Sequence, residues 1–262
     1  GTLKESLLAV RPLWGFLVYA LYRIPVRLLD IEVGNYYVEY ICLALTAILV
    51  IQTLLQKEEG KTEADASQIG FQKILAAHSF TWIGVQTMFI YMFAFLEYSL
   101  PDMDNDGVGR VIDIAFLVLN GIAAVLPAFF LEPLTRKIGR VKTHLLCITV
   151  MALGYTGLWL MGSNEFVIYG LMLVIGIGWA ATISLVFAIM SQKVDPKKMG
   201  LYMGLFNLSV VLPQLVASLA IGEFLKEASD KSLTFLICAV CLGISALAWS
   251  TIKDDNTDRQ VG

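Results

Sequence analysis

Two long apolar runs, residues 166–190 and 200–225, constrain the fold more than any other part of the sequence. Each is long enough to cross a hydrocarbon core of roughly 30 Å as a helix. The short segment between them carries Lys193, Lys197 and Lys198. Because basic loops stay on the cytoplasmic side of a membrane, this turn is predicted to be cytoplasmic. The two runs are therefore predicted to form a helical hairpin in lipid.

The composition of the whole chain is that of a membrane protein. Of its 262 residues, 57% are hydrophobic and only 16% are charged, whereas about 25% of residues are charged in typical soluble domains. A water-soluble fold of this length would have no place for so many apolar side chains. We therefore expect an all-α, polytopic protein with the lipid bilayer as its surroundings. The net charge of −3 is small and does not favour a nucleic-acid partner.

Other apolar runs predict a bundle of six spans that is preceded by one or two more. Residues 36–55 form a clear span, whereas residues 12–29 form a weak one because Arg23, Pro25 and Arg27 interrupt it. The polar residues 56–73 that follow have mixed charge, which predicts a solvated loop. The six later spans are predicted at 80–98, 110–131, 144–162, 166–190, 200–225 and 232–252.

The loops of the six-span unit alternate in charge. Residues 132–143 and 191–199 are basic, whereas residues 99–109 contain three aspartates and no Lys or Arg. This alternation predicts that both ends of the unit are cytoplasmic. Arg23 and Arg27 do not fit this pattern, because they would lie near the outer side. Prolines within spans, Pro127 and Pro213, are predicted to kink them.

Polar and aromatic side chains within the spans are the candidates for substrate contact. Asn207 and Gln214 are seven residues apart, which places them on nearly one face of a helix. Polar groups at membrane depth are costly and usually face a bundle interior or a wet cavity. Trp179 could stack on a sugar ring or could pack ordinarily. The predicted substrate-binding residues are Gln86, Tyr91, Asn120, Trp179, Asn207 and Gln214, whereas Trp82 is predicted to lie in the aromatic belt of the interface.

Asp113 is the candidate for proton coupling. A carboxylate inside a span binds a proton more readily, because desolvation disfavours its charged form. In the alternative interpretation, Asp113 lies at the headgroup level and pairs with Arg110 one turn earlier.

Charged residues at the cytoplasmic ends of the spans form a candidate gate. Glu132, Arg136 and Arg140 are predicted to face Asp195, so that ion pairs could hold one conformation shut. Alternatively, these charges only set the orientation of the chain in the membrane.

No residue pattern indicates an enzyme, a cofactor or a metal site. H-E-x-x-H and G-x-S-x-G do not occur. Cys238 and Cys241 have C-x-x-C spacing but lie inside a predicted span, where packing is the better interpretation. His78 and His144 lie at span edges and are interpreted as structural.

Three segments carry a resemblance to a known family. Residues 117–140 (LVLNGIAAVLPAFFLEPLTRKIGR), 176–190 (GIGWAATISLVFAIM) and 197–219 (KKMGLYMGLFNLSVVLPQLVASL) resemble the C-terminal half of major facilitator superfamily transporters. They are most similar to plant sucrose–proton symporters and bacterial relatives of the glycoside–pentoside–hexuronide class. The similarity covers roughly residues 76–252. The matching positions, for which the resemblance implies a cavity-lining or gating role, are Asn120, Glu132, Asn207, Pro213 and Gln214.

The resemblance implies a twelve-span fold in which two six-helix halves enclose a central sugar site. Only one or two spans precede the linker here, so we expect the chain to be a fragment whose partner is the missing N-terminal half. The expected organisation is the end of the N-terminal half (1–55), a cytoplasmic linker loop (56–75), the six-span bundle (76–253) and a cytoplasmic tail (254–262).

The expected function is secondary active transport of a disaccharide or glycoside together with protons, in a bacterial inner membrane. Two alternatives remain open. The first is a major facilitator transporter for an unrelated metabolite or drug. The second is a membrane interaction subunit that does not transport, although buried amides in three spans would be a needless cost for such a protein.

Overall fold

The computed structural model describes residues 2–254, in which all regular secondary structure is helical. Two π-helical turns, Pro127–Leu131 and Ala217–Ile221, and two 3-10 turns, Arg11–Leu13 and Pro196–Lys198, join or extend the α-helices. The α-helices are α1 (Leu3–Ala9), α2 (Trp14–Leu28), α3 (Tyr37–Leu55), α4 (Glu63–Ser99), α5 (Asn105–Leu126), α6 (Glu132–Ile138), α7 (Arg140–Met161), α8 (Glu165–Ser184), α9 (Val186–Gln192), α10 (Met199–Val216), α11 (Gly222–Glu227) and α12 (Leu233–Trp249).

Six helical runs among the described residues are long and apolar enough to cross a membrane, which confirms the all-α, polytopic fold. They are Tyr37–Leu55, Glu63–Ser99, Asn105–Ile138, Arg140–Met161, Glu165–Gln192 and Pro196–Glu227. Helix α12 is apolar but shorter, with 17 residues. Helices α1 and Arg11–Leu28 would count as one further span if joined, but they are bent by 72°.

The C-terminal helices form a bundle that combines contacts between sequence neighbours, such as α7 and α8, with contacts between helices distant in sequence, such as α4 and α12. Helix α12 packs between α4 and α7, and α8 packs between α7 and α5. Helix α10 packs against α4 on one side and α2 on the other. Close approach depends on glycines: Gly84 of α4 lies against Leu242 of α12, and Gly178 of α8 lies against Met151 of α7. The fully buried Phe95, Tyr155 and Phe235 pack together within this bundle.

The first predicted span is not interrupted where the sequence indicates. Helix α2 continues through Pro25, and the break lies earlier, where α1 ends before the 3-10 turn that contains Pro12. Pro12 has no N–H to donate to the carbonyl four residues back. That carbonyl, on Leu8, instead accepts a hydrogen bond of 2.8 Å from the Gln72 side chain of α4.

The predicted linker loop over 56–75 is wrong in its second part, because α4 begins at Glu63. The Thr62 hydroxyl accepts a hydrogen bond from the backbone N–H of Asp65 and caps the helix. Lys73 is only 4% exposed. Its ammonium donates to the Thr251 carbonyl at 3.1 Å and lies 3.7 Å from the Glu58 carboxylate. Lys73 of α4 and Glu58 of the preceding loop therefore pair inside the fold, which the sequence does not reveal.

The segments predicted to be cytoplasmic lie at one end of the bundle. Lys253, which follows α12, donates to Glu59 of the linker at 2.9 Å and thereby holds the pKa of that carboxyl below its ordinary value. The side chain of Lys193 lies against Gly70 near the start of α4. Which side of the membrane this end faces remains a prediction, and most of the predicted tail 254–262 lies outside the described residues.

Asp254, the last described residue, joins the segment after α12 to the turn before α7. Its carboxylate accepts hydrogen bonds from the backbone N–H groups of Val141 (3.2 Å) and Lys142 (3.4 Å). Carboxylates stabilise helix N-termini in this way. Gly139 next to it has a φ of 94° and no room for a Cβ against Asp254.

We expect Gly139→Ala to destabilise the protein by about 1–3 kcal/mol, because a positive φ is strained for alanine and the added methyl displaces Asp254. Thermal unfolding in detergent measures this loss. Gly109→Ala is the matched control, since a Cβ at Gly109 meets nothing within 4 Å. Equal melting temperatures for the two variants would contradict the role of this turn.

Candidate functional site

Gln86 of α4 and Gln214 of α10 meet at the interface of their helices. The Gln214 side-chain amide donates to the Gln86 side-chain carbonyl at 3.1 Å, and both residues are half-buried. Each amide uses only part of its hydrogen-bonding capacity in this contact, because a glutamine side chain offers two donors and a carbonyl acceptor. The pair can therefore accept and donate further hydrogen bonds.

Asn120 of α5 and Trp179 of α8 form a second pair. The Trp179 indole N–H donates to Asn120 Oδ1 at 3.2 Å, and Asn120 Nδ2 donates to the Phe116 carbonyl at 2.9 Å. Asn120 is exposed and Trp179 is half-buried. The indole is thus fixed in orientation while part of its ring remains accessible.

A row of aromatic rings connects the second pair to α4. The Trp179 ring lies edge-on to Trp82, with centroids 5.9 Å apart, and to Phe89, with centroids 5.6 Å apart. Phe89 in turn contacts Phe116 of α5 at 5.2 Å. Trp82 and Phe89 flank Gln86 on α4, so the two amide pairs and the ring row form one continuous surface, which we call the polar face. Trp82 is half-buried and packs against Trp179, whereas its predicted place in an interfacial belt stays a prediction.

His78 lies beneath this face. Trp82 donates its indole N–H to His78 Nε2 at 2.9 Å, and the imidazole stacks on Phe206 of α10 with centroids 5.0 Å apart. His78 is only 3% exposed, and its Nδ1 has no hydrogen-bond partner among the described residues. The neighbour of Phe206 in sequence, Asn207, is exposed, and its amide forms no hydrogen bond to any other described residue. The Asn207 side chain is therefore free to bind a solute.

Tyr91 of α4 lies next to the π-helical turn Ala217–Ile221, which follows α10. Its hydroxyl lies 3.0 Å from the Ala217 carbonyl and 3.3 Å from the Ser218 carbonyl, both in the π-helical turn that follows Pro213. A π-turn leaves backbone carbonyls without regular partners, and such turns are frequent at functional sites. Tyr91 therefore holds this turn against α4.

Asp113 stands apart from the polar face. It lies on α5 seven residues before Asn120, is exposed and forms no ion pair with Arg110, although both residues are described. Its pairing with Arg110, the alternative interpretation from the sequence, is thus not seen. Among residues 2–254, no hydrogen bond or ion pair links Asp113 to the amide pairs.

The candidate gate residues form local contacts. Glu132 and Arg136 make an ion pair of 2.7 Å within α6, in which both side chains are largely exposed. The Asp195 carboxylate accepts from the Lys197 backbone N–H at 2.9 Å and caps its own 3-10 turn. Arg140 begins α7. Within residues 2–254 no ion pair joins Asp195 to Arg136, because each is satisfied by a neighbour in sequence.

Metal-binding geometry is not found within the described range, where no group of three His, Cys, Asp or Glu side chains converges. Cys238 instead donates its thiol to the Gly84 carbonyl at 3.2 Å, in the contact between α12 and α4. The polar face thus consists of neutral hydrogen-bonding groups and aromatic rings. Such a surface can hold an uncharged, hydroxyl-bearing molecule without burying an unpaired charge.

Comparison with known proteins identifies the family. A search of curated proteins found no match. A family model described as Major Facilitator Superfamily matches residues 12–218, well over half of the chain. The matched range includes α2 to α10 and therefore every residue of the polar face. The chain therefore belongs to the major facilitator superfamily, whose members are transporters of small molecules across membranes rather than enzymes.

Proposed function

We propose that the protein transports a disaccharide or glycoside together with protons, by alternating access. The observation that carries this proposal is the polar face with its Gln86–Gln214 and Asn120–Trp179 pairs, together with exposed Asn207, which is seven residues before Gln214 on α10. Sugar hydroxyls both donate and accept, and side-chain amides match both properties. The neutral face favours an uncharged solute over an ion.

The aromatic row supports a ring-shaped solute. Trp179 is half-buried and held by Asn120, so its ring keeps a fixed orientation at low entropic cost. The apolar C–H face of a sugar can pack on such a ring while its hydroxyls bond to the amides. This arrangement agrees with the resemblance of the chain to sucrose–proton symporters of the glycoside–pentoside–hexuronide class.

The exposed amides also favour the presence of a second, N-terminal half of the transporter that covers them. Asn120 and Asn207 are exposed, and exposed amides at membrane depth are costly unless they line a cavity. A six-helix N-terminal half that packs over this face would enclose the solute between two halves, as alternating access requires. In this proposal the protein lies in a bacterial inner membrane with its linker and C-terminus in the cytoplasm, and the charged residues Glu132, Arg136, Arg140 and Asp195 gate the cytoplasmic side.

Uptake into proteoliposomes tests the proposal. The protein is expressed from its complete open reading frame, and radiolabelled sucrose and maltose are supplied with and without an inward proton gradient. We expect accumulation only with the gradient. Asp113→Asn, assayed in parallel, tests the carboxylate singled out by the sequence. Absence of accumulation of any glycoside would contradict the sugar assignment.

The aromatic row also favours a second candidate function, the transport of a hydrophobic metabolite or drug. Trp82, Phe89, Phe116 and Trp179 offer more ring surface than a small sugar needs. Competition decides between the two candidates: an aromatic drug that inhibits uptake while glycosides do not would favour the second. A protein that moves neither class would favour the interaction subunit.

A further inference from the structure

A cavity of about 690 Å³ lies where α3 ends and α4 begins, next to α1. Its lining contains three cationic side chains and three side-chain amides, namely Arg11, Lys57, Lys61, Gln56, Gln68 and Gln72. None of these residues belongs to the polar face. All six can donate hydrogen bonds, and the amides can also accept them. The cavity is therefore suited to an anion that carries further polar groups.

The cations of this cavity are less neutralised than its carboxylates. Glu59 and Asp65 also line it, but Glu59 accepts a hydrogen bond from Lys253 at 2.9 Å. Asp65 accepts one of 2.8 Å from the hydroxyl that caps α4. Lys57 is close enough to Glu59 to interact with it electrostatically, yet in the described part of the chain neither Lys57 nor Lys61 forms an ion pair. The cavity thus keeps a positive charge.

The cations lie at the level of lipid headgroups. Gln56 and Lys57 directly follow α3, a helix of 19 residues that is long and apolar enough to cross the hydrocarbon core. Arg11 is held at the same level, because its guanidinium donates to Gln52 Oε1 in the last turn of α3 at 2.5 Å. That contact uses one of the five N–H groups of a guanidinium. The others remain available to a phosphate group at this depth.

Apolar side chains border the cations. Leu8 and Ile69 line the cavity, and α1, which contains Leu8, is bent by 72° against Arg11–Leu28. Helix α1 therefore runs across the end of that helix rather than along it. Its Leu3 is 78% exposed, and Leu7 and Leu8 are 39% and 42% exposed. Leucines at headgroup level are stabilised by contact with acyl chains, as in helices that lie in the membrane interface. This border favours a lipid over a free phosphate ion.

We propose that this cavity binds the headgroup of an anionic phospholipid. The lipid phosphate accepts hydrogen bonds from Arg11, Lys57 and Lys61, the headgroup hydroxyls bond to the amides, and the acyl chains leave past Leu8. Basic pockets between membrane helices bind anionic headgroups by the same combination of charges. A zwitterionic headgroup fits less well, because its ammonium group would lie among three cations while both carboxylates of the lining are already hydrogen-bonded. The inference does not depend on which solute is transported.

Native mass spectrometry of the full-length protein, released from detergent, measures lipid binding directly. Phosphatidylglycerol and phosphatidylcholine with identical acyl chains are titrated in separate series. We expect the wild type to bind phosphatidylglycerol about tenfold more tightly than phosphatidylcholine. Lys57→Gln and Lys61→Gln should each weaken this binding about fivefold, whereas Lys57→Arg and Lys61→Arg should keep it because the charge remains. Equal affinities for the two lipids, or wild-type affinity in the double glutamine variant, would overturn the proposal.

The matched control is the double variant Lys197→Gln/Lys198→Gln. It removes the same charge from exposed lysines in the turn before α10, which do not line the cavity. We expect this control to bind phosphatidylglycerol like the wild type, and a loss equal to that of the cavity variants would overturn the site by reducing the effect to general surface charge. Inorganic phosphate and glycerol phosphate, added in excess over the lipid, distinguish a soluble ligand from a lipid. We expect neither to displace phosphatidylglycerol, and displacement by either would overturn the lipid assignment in favour of a soluble phosphate.

Discussion

Replacement of Gln214 by alanine is expected to reduce the initial rate of sugar uptake about 10- to 100-fold. The change removes one amide of the polar face and leaves the half-buried Gln86 carbonyl without its 3.1 Å hydrogen bond. An unpaired buried polar group costs about 1–3 kcal/mol, and each 1.4 kcal/mol corresponds to tenfold in an equilibrium. Labelled uptake, normalised to the amount of protein in the proteoliposomes, measures the effect.

The control and the partner variant sharpen this prediction. Val211→Ala lies on the same helix, at an exposed apolar position, and should transport like the wild type. Gln86→Ala should resemble Gln214→Ala, and the double variant should be little worse than either, because the two side chains act as one unit. Wild-type uptake by Gln214→Ala would remove this pair from the substrate site.

Replacement of Gly178 by leucine is expected to prevent formation of the stable bundle. A Cβ at this position would lie against the Cβ of Met151, 2.8 Å from its Sδ and 2.9 Å from the Cys147 carbonyl oxygen. Backbone and Cβ atoms cannot move aside as the end of a flexible side chain can, so α7 and α8 would have to separate. Overpacking of this kind costs about 1–3 kcal/mol and occasionally more, and helices in lipid depend on close contact at small residues.

Fluorescence-detected size-exclusion chromatography and melting temperature in detergent measure the result. Gly170→Leu is the matched control, because Gly170 lies on the same helix and a Cβ there meets nothing within 4 Å. A monodisperse Gly178→Leu protein with the melting temperature of the control would show that the contact between α7 and α8 is not as close as the structure indicates.

The sequence predicts the helices well where apolar runs are long and less well where charges are buried. The spans predicted at 36–55, 166–190 and 200–225 follow from hydropathy alone, because lipid selects for apolar side chains along the whole helix. The start of α4 does not follow from hydropathy. A lysine such as Lys73 indicates a solvated loop in the sequence, but in the structure it pairs with Glu58 inside the fold.

The candidate site follows from the sequence only in part. Helical spacing places Asn207 and Gln214 on one helix, but no spacing rule predicts that Gln214 meets Gln86 or that Trp179 meets Asn120. Those pairs depend on how α4, α5, α8 and α10 pack. An arginine within an apolar run needs a buried partner, so the sequence indicates that Arg23 forms an ion pair. Its partners, Glu39 of α3 and Glu223 of α11, are distant in sequence, so only the fold identifies them.

Protection of Asn207→Cys from alkylation by the solute tests the central claim most directly, namely that the polar face binds the transported molecule. Asn207 is exposed on α10, seven residues before Gln214 of this face, whereas the native cysteines are buried or half-buried and give a low background. The rate of reaction with a membrane-impermeant maleimide is measured with and without saturating glycoside. Asp102→Cys, in the loop between α4 and α5, serves as the control. We expect glycosides to slow the labelling of Asn207→Cys and to leave Asp102→Cys unchanged. Equal labelling rates at Asn207→Cys with and without every transported solute would contradict the account.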